Sequence, residues 1–360
     1  MTATMTHARF HRLDHMNLRG LRALNRDRTV VLLPIGMLEQ HGGHLPLGTD
    51  TFSVMALSLA AAAWLLEHDK SLHVVQMPGI PYGTDPVDLR RPELFEQAGS
   101  VWLSAETLKQ VVSDVIGHMV RYGFMNIFPI GYHGGPGQSI ALDEICADLR
   151  ARHPGLHTYE PMGYVMVGAE EDVEPGLATL LGRPLTTTEQ VALQGSIHAS
   201  MYETSVMLHL NPELVDPAYK GLRTIEWNQL YSMKDWPGYI GAGPAHANPE
   251  IGAAMLRWRG VRAGALIKRA IAGEDLSGLP RHPRWVSDDE SLISDAPPEE
   301  ELRAAGPFIE SKPAMQFSAD AVRKAREQHP TEPILDFSEA DAQTRPGTDT
   351  PPHIDEPGEV

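Results

Sequence analysis

The sequence predicts an α/β fold, with a parallel-rich central sheet and flanking helices in a layered sandwich. Three observations carry this. From Thr29 onward, short β-rich runs alternate with stretches of helical spacing, the order in which parallel strands and crossover helices follow one another. The clearest of those stretches sets Leu108, Val111, Val112, Val115, Ile116, Met119 and Val120 on one face. A chain of 360 residues is also long enough to bury a sizeable core.

Taken in order, residues 30–35 are the first expected strand, residues 52–67 the helix that follows it and residues 72–77 the next strand. Ser104 is placed to cap the clear helix, and Gly123 stands at its end. Residues 126–130 then read as a strand, 139–152 as a helix and 156–159 as another short strand. Between residues 161 and 188 the pattern gives way to glycine, proline and acidic residues, predicting an insertion or a loop near the site. Regularity returns at Glu189, and residues 200–210 read as a helix. After Ala272 the composition turns to Pro, Asp and Glu, with one helix expected at residues 319–328. The chain therefore divides into a domain of residues 1–272 and an acidic, proline-rich extension of residues 273–360. Such an extension buries little apolar surface alone and is expected to lie as an arm against the core or a neighbouring subunit.

Charge and composition exclude several classes. With 47 acidic against 30 basic residues the formal net charge is -17, which opposes a nucleic-acid partner. The single cysteine, Cys146, makes no internal disulfide and falls in line with Leu142, Ile145 and Leu149, so it reads as core. Residues 1–24 hold no apolar run like that of an export signal, which makes the cytoplasm the expected location. The most hydrophobic stretch, residues 54–66, falls short of the roughly 20 residues that span a bilayer and reads as a buried helix, with no membrane partner.

The chemistry concentrates in three segments. Glu39, His41, His44 and Asp50 follow the first strand, at the sheet edge where open α/β proteins bind ligands. Glu39 and His41 are two apart and point the same way along extended backbone, and a turn through Gly42, Gly43 and Pro46 brings Asp50 back to them. His133, in Gly131-Tyr-His-Gly-Gly, follows another predicted strand. His198 comes just before a helix whose first turn carries Glu203, and the spacing lets either ligate metal or move protons. A His before glycine in a loop is ordinary by itself; three such loops at one sheet edge point to a metal site. His44 reads as a group that orients a ligand. His68, His73, His118 and His209 lie in helix or strand patterns away from these loops.

The run Glu39-Gln-His41-Gly-Gly-His44-Leu-Pro-Leu-Gly-Thr-Asp50 closely resembles the signature of the creatininase family of metal-dependent amidohydrolases. The resemblance continues through Gly131-Tyr-His133-Gly-Gly, His198 with Glu203-Thr-Ser, and Gly243-Pro to Asn248-Pro-Glu-Ile-Gly252. It implies a creatininase-like sandwich, often assembled as a hexamer, and hence a homo-oligomer. It also implies that Glu39, His41, Asp50 and His133 bind a divalent pair, with Asp50 bridging and His198 transferring protons. Glu203 is then a ligand or an orienting carboxylate. An N/O donor set without Cys suits Zn or Mn, with Fe also compatible.

The sequence departs from creatininase itself. Gly135 stands where creatininase has a glutamate ligand, Pro136 replaces the family's usual Asn, and no Trp occurs between Trp102 and Trp227 to stack on a flat ring. The Gly-Gly form is similar to other branches, among them deformylases, peptide-processing enzymes and hydrolases of inositol-derived cyclic diketones. The expected substrate is a small polar cyclic carbonyl compound. Cleavage of a cyclic amide C–N bond stands first, and C–C opening of a polyhydroxylated diketone is the alternative, favoured by the polar run of residues 85–93 with Asp85, Asp88, Arg90 and Arg91. A non-catalytic metal-binding or scaffold protein is the reading from another class.

Overall fold

A computed structural model describes residues 8–90, 99–165, 169–226, 229–230 and 233–279. In chain order these form β1 (Phe10–Arg12), α1 (Leu18–Ala23), β2 (Thr29–Ile35), α2 (Thr49–His68), β3 (His73–Gln76), α3 (Ala105–Arg121) and β4 (Ile127–Gly131). There follow α4 (Pro136–Arg152), α5 (Pro161–Val165), α6 (Ala169–Leu181), α7 (Thr187–Gln194), β5 (Ser196–His198), α8 (Met201–Leu210), β6 (Ile240–Gly241) and α9 (Pro249–Ile271).

The central sheet has the order β1-β3-β2-β4 and is parallel throughout. β2 is buried along its whole length because both faces of the sheet are covered. Val30 and Leu32 join one apolar core with α2, α8 and α9, while Val31, Leu33 and Ile35 join another with α3 and α4. The molecule is thus a three-layer sandwich. From β2 the chain passes to β3 on one side and only later to β4 on the other, which makes the gap between β2 and β4 a topological switch point. Ligands of open α/β sheets bind beyond the strand ends at that place.

The expected strands and helices at residues 30–35, 52–67, 72–77, 104–123, 126–130, 139–152 and 200–210 all occur, with shifted ends. Ser104 caps α3, accepting a hydrogen bond from the Thr107 N–H. Residues 156–159 do not form a strand; a single parallel bridge joins His157 to Asn126. The chain is drawn away there because the buried Glu160 carboxylate accepts the N–H groups of Gly131, Met162 and Gly163, bending it into α5. Where residues 161–188 are described, much of the stretch is helical, in α5 and α6. The Pro175 and Gly176 that suggest a break lie inside α6, where Gly176 allows the Trp258 ring to approach.

α9 is the element least visible in the sequence. Buried on most sides, down to Arg262, it carries no single apolar stripe. Its start is nevertheless encoded: Asn248 caps it through the Glu250 N–H, and Pro249 occupies the first turn. Cys146 is fully buried, and burial pushes its thiol up to about 12, in keeping with a core residue. Beyond α9 the chain stays on the core through Leu276, whose N–H meets the Tyr159 hydroxyl, and Leu279. The helix expected at residues 319–328 lies outside the described residues.

Candidate metal centre

The six predicted side chains converge. β2 runs into the turn bearing Glu39 and His41, α2 opens with Asp50 in its first turn, and β4 delivers His133. His198 ends β5, and Glu203 lies in the first turn of α8. Placing Asp50 and Glu203 at helix N-termini favours their ionised forms. Three overlapping groups result: Glu39, Asp50 and His133; His41, Asp50 and Glu203; and Glu39, His41 and His198. Within each group the candidate donor atoms lie within 4.8 Å of one another. Asp50 belongs to two groups, with Oδ2 3.4 Å from His133 Nδ1 and Oδ1 3.7 Å from His41 Nε2.

The three imidazoles are prepared in the same way. His133 Nε2–H donates to the Asp85 carbonyl at 2.9 Å, His41 Nδ1–H to the Glu39 carbonyl at 2.9 Å and His198 Nε2–H to the Gln40 carbonyl at 2.8 Å. A carbonyl only accepts, so each bond fixes the tautomer and turns the other nitrogen toward the carboxylates. His133 Nδ1 is 2.9 Å from Glu39 Oε2, His41 Nε2 is 3.6 Å from Glu203 Oε2, and His198 Nδ1 is 3.9 Å from Glu39 Oε2.

Several donor atoms of this cage lack hydrogen bonds. Glu39 Oε2, His41 Nε2 and both Asp50 oxygens are buried and without hydrogen-bond partners. Such atoms are costly to bury, and a divalent cation among them removes the cost. The donor set therefore fits a bound metal.

Without a cation the titratable groups lean on one another. Burial lowers the His41 pKa, but Glu203 and Asp50 outweigh it and carry it up to about 10. For His133 the same opposition, led by Glu39 and Asp50, ends well above the usual histidine value. Burial raises Asp50 to about 6 and lowers His198, while Glu39 and Glu203 are held low by their histidines against the effect of burial. Protons thus occupy places that a metal would take.

His44 lies outside the three groups. Its Nε2 meets Thr204 Oγ1 at 3.1 Å, bracing α8 beside Glu203, and burial lowers its pKa to about 4. Two carboxylates of the polar run are engaged within the chain. Asp85 bonds the Gly137 N–H through Oδ2, and Asp88 is buried with its pKa raised to about 6 by burial. Residues 91–98 lie outside the described residues. Two features lie beyond the sequence-based expectations: the Tyr132 and Tyr202 hydroxyls meet at 2.7 Å beneath the Arg259 guanidinium, and the Val87 N–H bonds Glu39 Oε1. Tyr132 and Tyr202 adjoin His133 and Glu203 in sequence, which was the available signal; a backbone N–H leaves none.

Fold and site together define a three-layer α/β protein built around a buried carboxylate and imidazole cage able to hold metal. The sequence profile of the creatininase family, described as creatinine amidohydrolase, matches residues 14–267. The chain belongs to the creatininase family. It is 26% identical over 192 residues to a creatinine amidohydrolase of Pseudomonas putida, covering 52% of this chain and 66% of that protein. It is 27% identical over 197 residues to a mycofactocin precursor peptide peptidase of Mycobacterium ulcerans, covering 51% of this chain and 60% of the relative. The aligned part thus spans less than two thirds of either relative. A Bacteroides fragilis structure described as a creatinine amidohydrolase shares the fold with a TM-score of 0.54 at 20% identity, over 75% of this chain and 99% of its own. A creatininase structure labelled Mn does so with a TM-score of 0.52 at 20% identity, over 72% and 98%.

Proposed function

We propose that this chain is a metal-dependent hydrolase that cleaves a carbonyl C–N bond. Glu39, Asp50 and His133 would hold one divalent cation and His41, Asp50 and Glu203 a second, with Asp50 common to both sets. The observation that carries the reading is the common preparation of the imidazoles, each tied to a backbone carbonyl by one nitrogen while the other faces a carboxylate. A divalent pair in such a cage supplies Lewis acidity, which polarises a carbonyl and lowers the pKa of water. Zn and Mn both suit the donors, and solved creatininases labelled Mn and Zn-Zn share the fold.

The chain's own residues do the rest. Burial lowers the pKa of His198, so its Nδ1 is free at neutral pH to accept a proton. It takes the proton released as water adds to the carbonyl carbon and returns it to the departing nitrogen. Gln40 keeps the ring in register through its carbonyl. Burial of the site excludes bulk water from these transfers.

Two facts favour C–N over C–C cleavage. The relatives' names, amidohydrolase and peptidase, both denote C–N hydrolysis. The Asp85 and Asp88 carboxylates, expected to meet a hydroxyl-rich ring, are instead a helix-turn acceptor and a buried group. The test is a kinetic panel of creatinine, other cyclic amides, short peptides and a cyclic 1,3-diketone, run with added Zn or Mn. Turnover of an amide or peptide, abolished by chelation, is expected; turnover of the diketone alone would overturn the C–N assignment.

A further inference from the structure

The turn that carries His133 is unusually bare. A Cβ added to Gly135 would lie 2.3 Å from His133 Nε2 and 2.5 Å from the Asp85 carbonyl oxygen, and one on Gly137 would lie 2.9 Å from Asp85 Cβ. The space beside the ligand histidine is filled by another part of the chain. Asp85 accepts from His133 with its carbonyl and from the Gly137 N–H with Oδ2 at 2.8 Å, and two residues on, the Val87 N–H bonds Glu39 Oε1. To do this Asp85 takes φ 62, a left-handed conformation that Asp and Asn tolerate better than other side chains. His41 and Glu203 are held by other groups, the Glu39 carbonyl and the Ala199 N–H.

Resting on the two-cation reading above, we propose that residues 85–87 form a strap whose positioning residue is Asp85. It sets Glu39 and His133 for one cation of the pair, and it occupies the place where a side chain at position 135 would enter. The strap acts by hydrogen bonds to the ligands' non-coordinating atoms, which fix ring orientation and carboxylate rotation before the cation arrives. Position 135 is closed to a further ligand for the same reason, so this chain completes its cage without one there.

The test is stepwise Zn and Mn binding to the full chain by titration calorimetry, with Mn electron paramagnetic resonance to report coupling between the two ions. Asp85→Val removes the carboxylate acceptor and disfavours the left-handed backbone, while Gly135→Ala displaces the strap from the other side. Each is expected to weaken one binding step by roughly 10- to 100-fold and leave the other close to wild type. Asp85→Asn, which keeps an acceptor oxygen and tolerates the backbone, is expected to bind both ions as the wild type does. If Asp85→Val does not fold, Gly135→Ala against wild type makes the same comparison. Equal weakening of both steps, wild-type binding by both damaging variants, or an Asp85→Asn protein as impaired as Asp85→Val would overturn the strap alone. A wild-type chain that takes up no divalent cation would overturn the two-cation reading and the strap with it.

Discussion

Replacing Gly252 by alanine should damage the site from a distance. Gly252 lies in the first turns of α9, where an added Cβ would be 2.1 Å from the Ser205 carbonyl oxygen, 2.4 Å from its carbon and 2.7 Å from the Val206 nitrogen. These are backbone atoms of α8, and no rotamer change relieves them. Recovering an ordinary contact requires the helices to part by about 1 Å. Alanine is the better helix former by about 0.5–1 kcal/mol, against an overpacking cost of about 1–3 kcal/mol, so a net loss of about 1–2 kcal/mol is expected. At about 2–4 °C per kcal/mol, Tm should fall by roughly 2–8 °C. Glu203 is two residues before Ser205 on α8, so the same movement draws it from His41 Nε2, now 3.6 Å away. Differential scanning fluorimetry with metal analysis measures both effects, and the cation facing His41 and Glu203 should be lost first. An unchanged or raised Tm with full metal content would show that α8 and α9 accommodate the methyl group without parting.

Three further outcomes are expected. His198→Ala should retain metal and lose turnover by about 10²- to 10⁴-fold; loss of a cation by elemental analysis would instead make His198 a ligand. Cation binding at neutral pH should release roughly two protons, from His41 and His133, because ligation needs neutral imidazoles; calorimetry in buffers of different ionisation enthalpy reads the number, and no release would contradict the protonated metal-free site. The raised His41 pKa stabilises the metal-free fold fully below about pH 6.5, and that contribution is lost as pH rises toward about 10. Chelated protein should therefore lose Tm over that interval while loaded protein does not.

What the sequence discloses follows from where the information sits. Glu39, His41 and Asp50 are legible because one short loop carries three donors. β2 and β4 are legible because strands buried on both faces are almost wholly apolar. α9 is hidden by the same physics, since burial on most sides erases the period that marks an amphipathic helix. The turn of residues 161–188 toward helices is hidden because Pro175 and Gly176, ordinary signs of a loop, are accommodated within α6 against Trp258. The strap is hidden for a different reason: it touches the ligands themselves through the Asp85 carbonyl and the Val87 N–H, groups that every ordinary residue has, and only its anchor to Gly137 uses a side chain. Only an Asp before Pro86, suited to a turn, marks the place.

A divalent pair sharing Asp50 can be read from metal content per chain, measured by mass spectrometry after saturation with Zn or Mn and removal of excess ion, for wild type, Asp50→Asn and Glu203→Gln. Two ions are expected in the wild type, about one in Glu203→Gln and fewer than one in Asp50→Asn, because only the last takes a ligand from both cations. Two ions retained by Asp50→Asn, or none bound by the wild type, would contradict it.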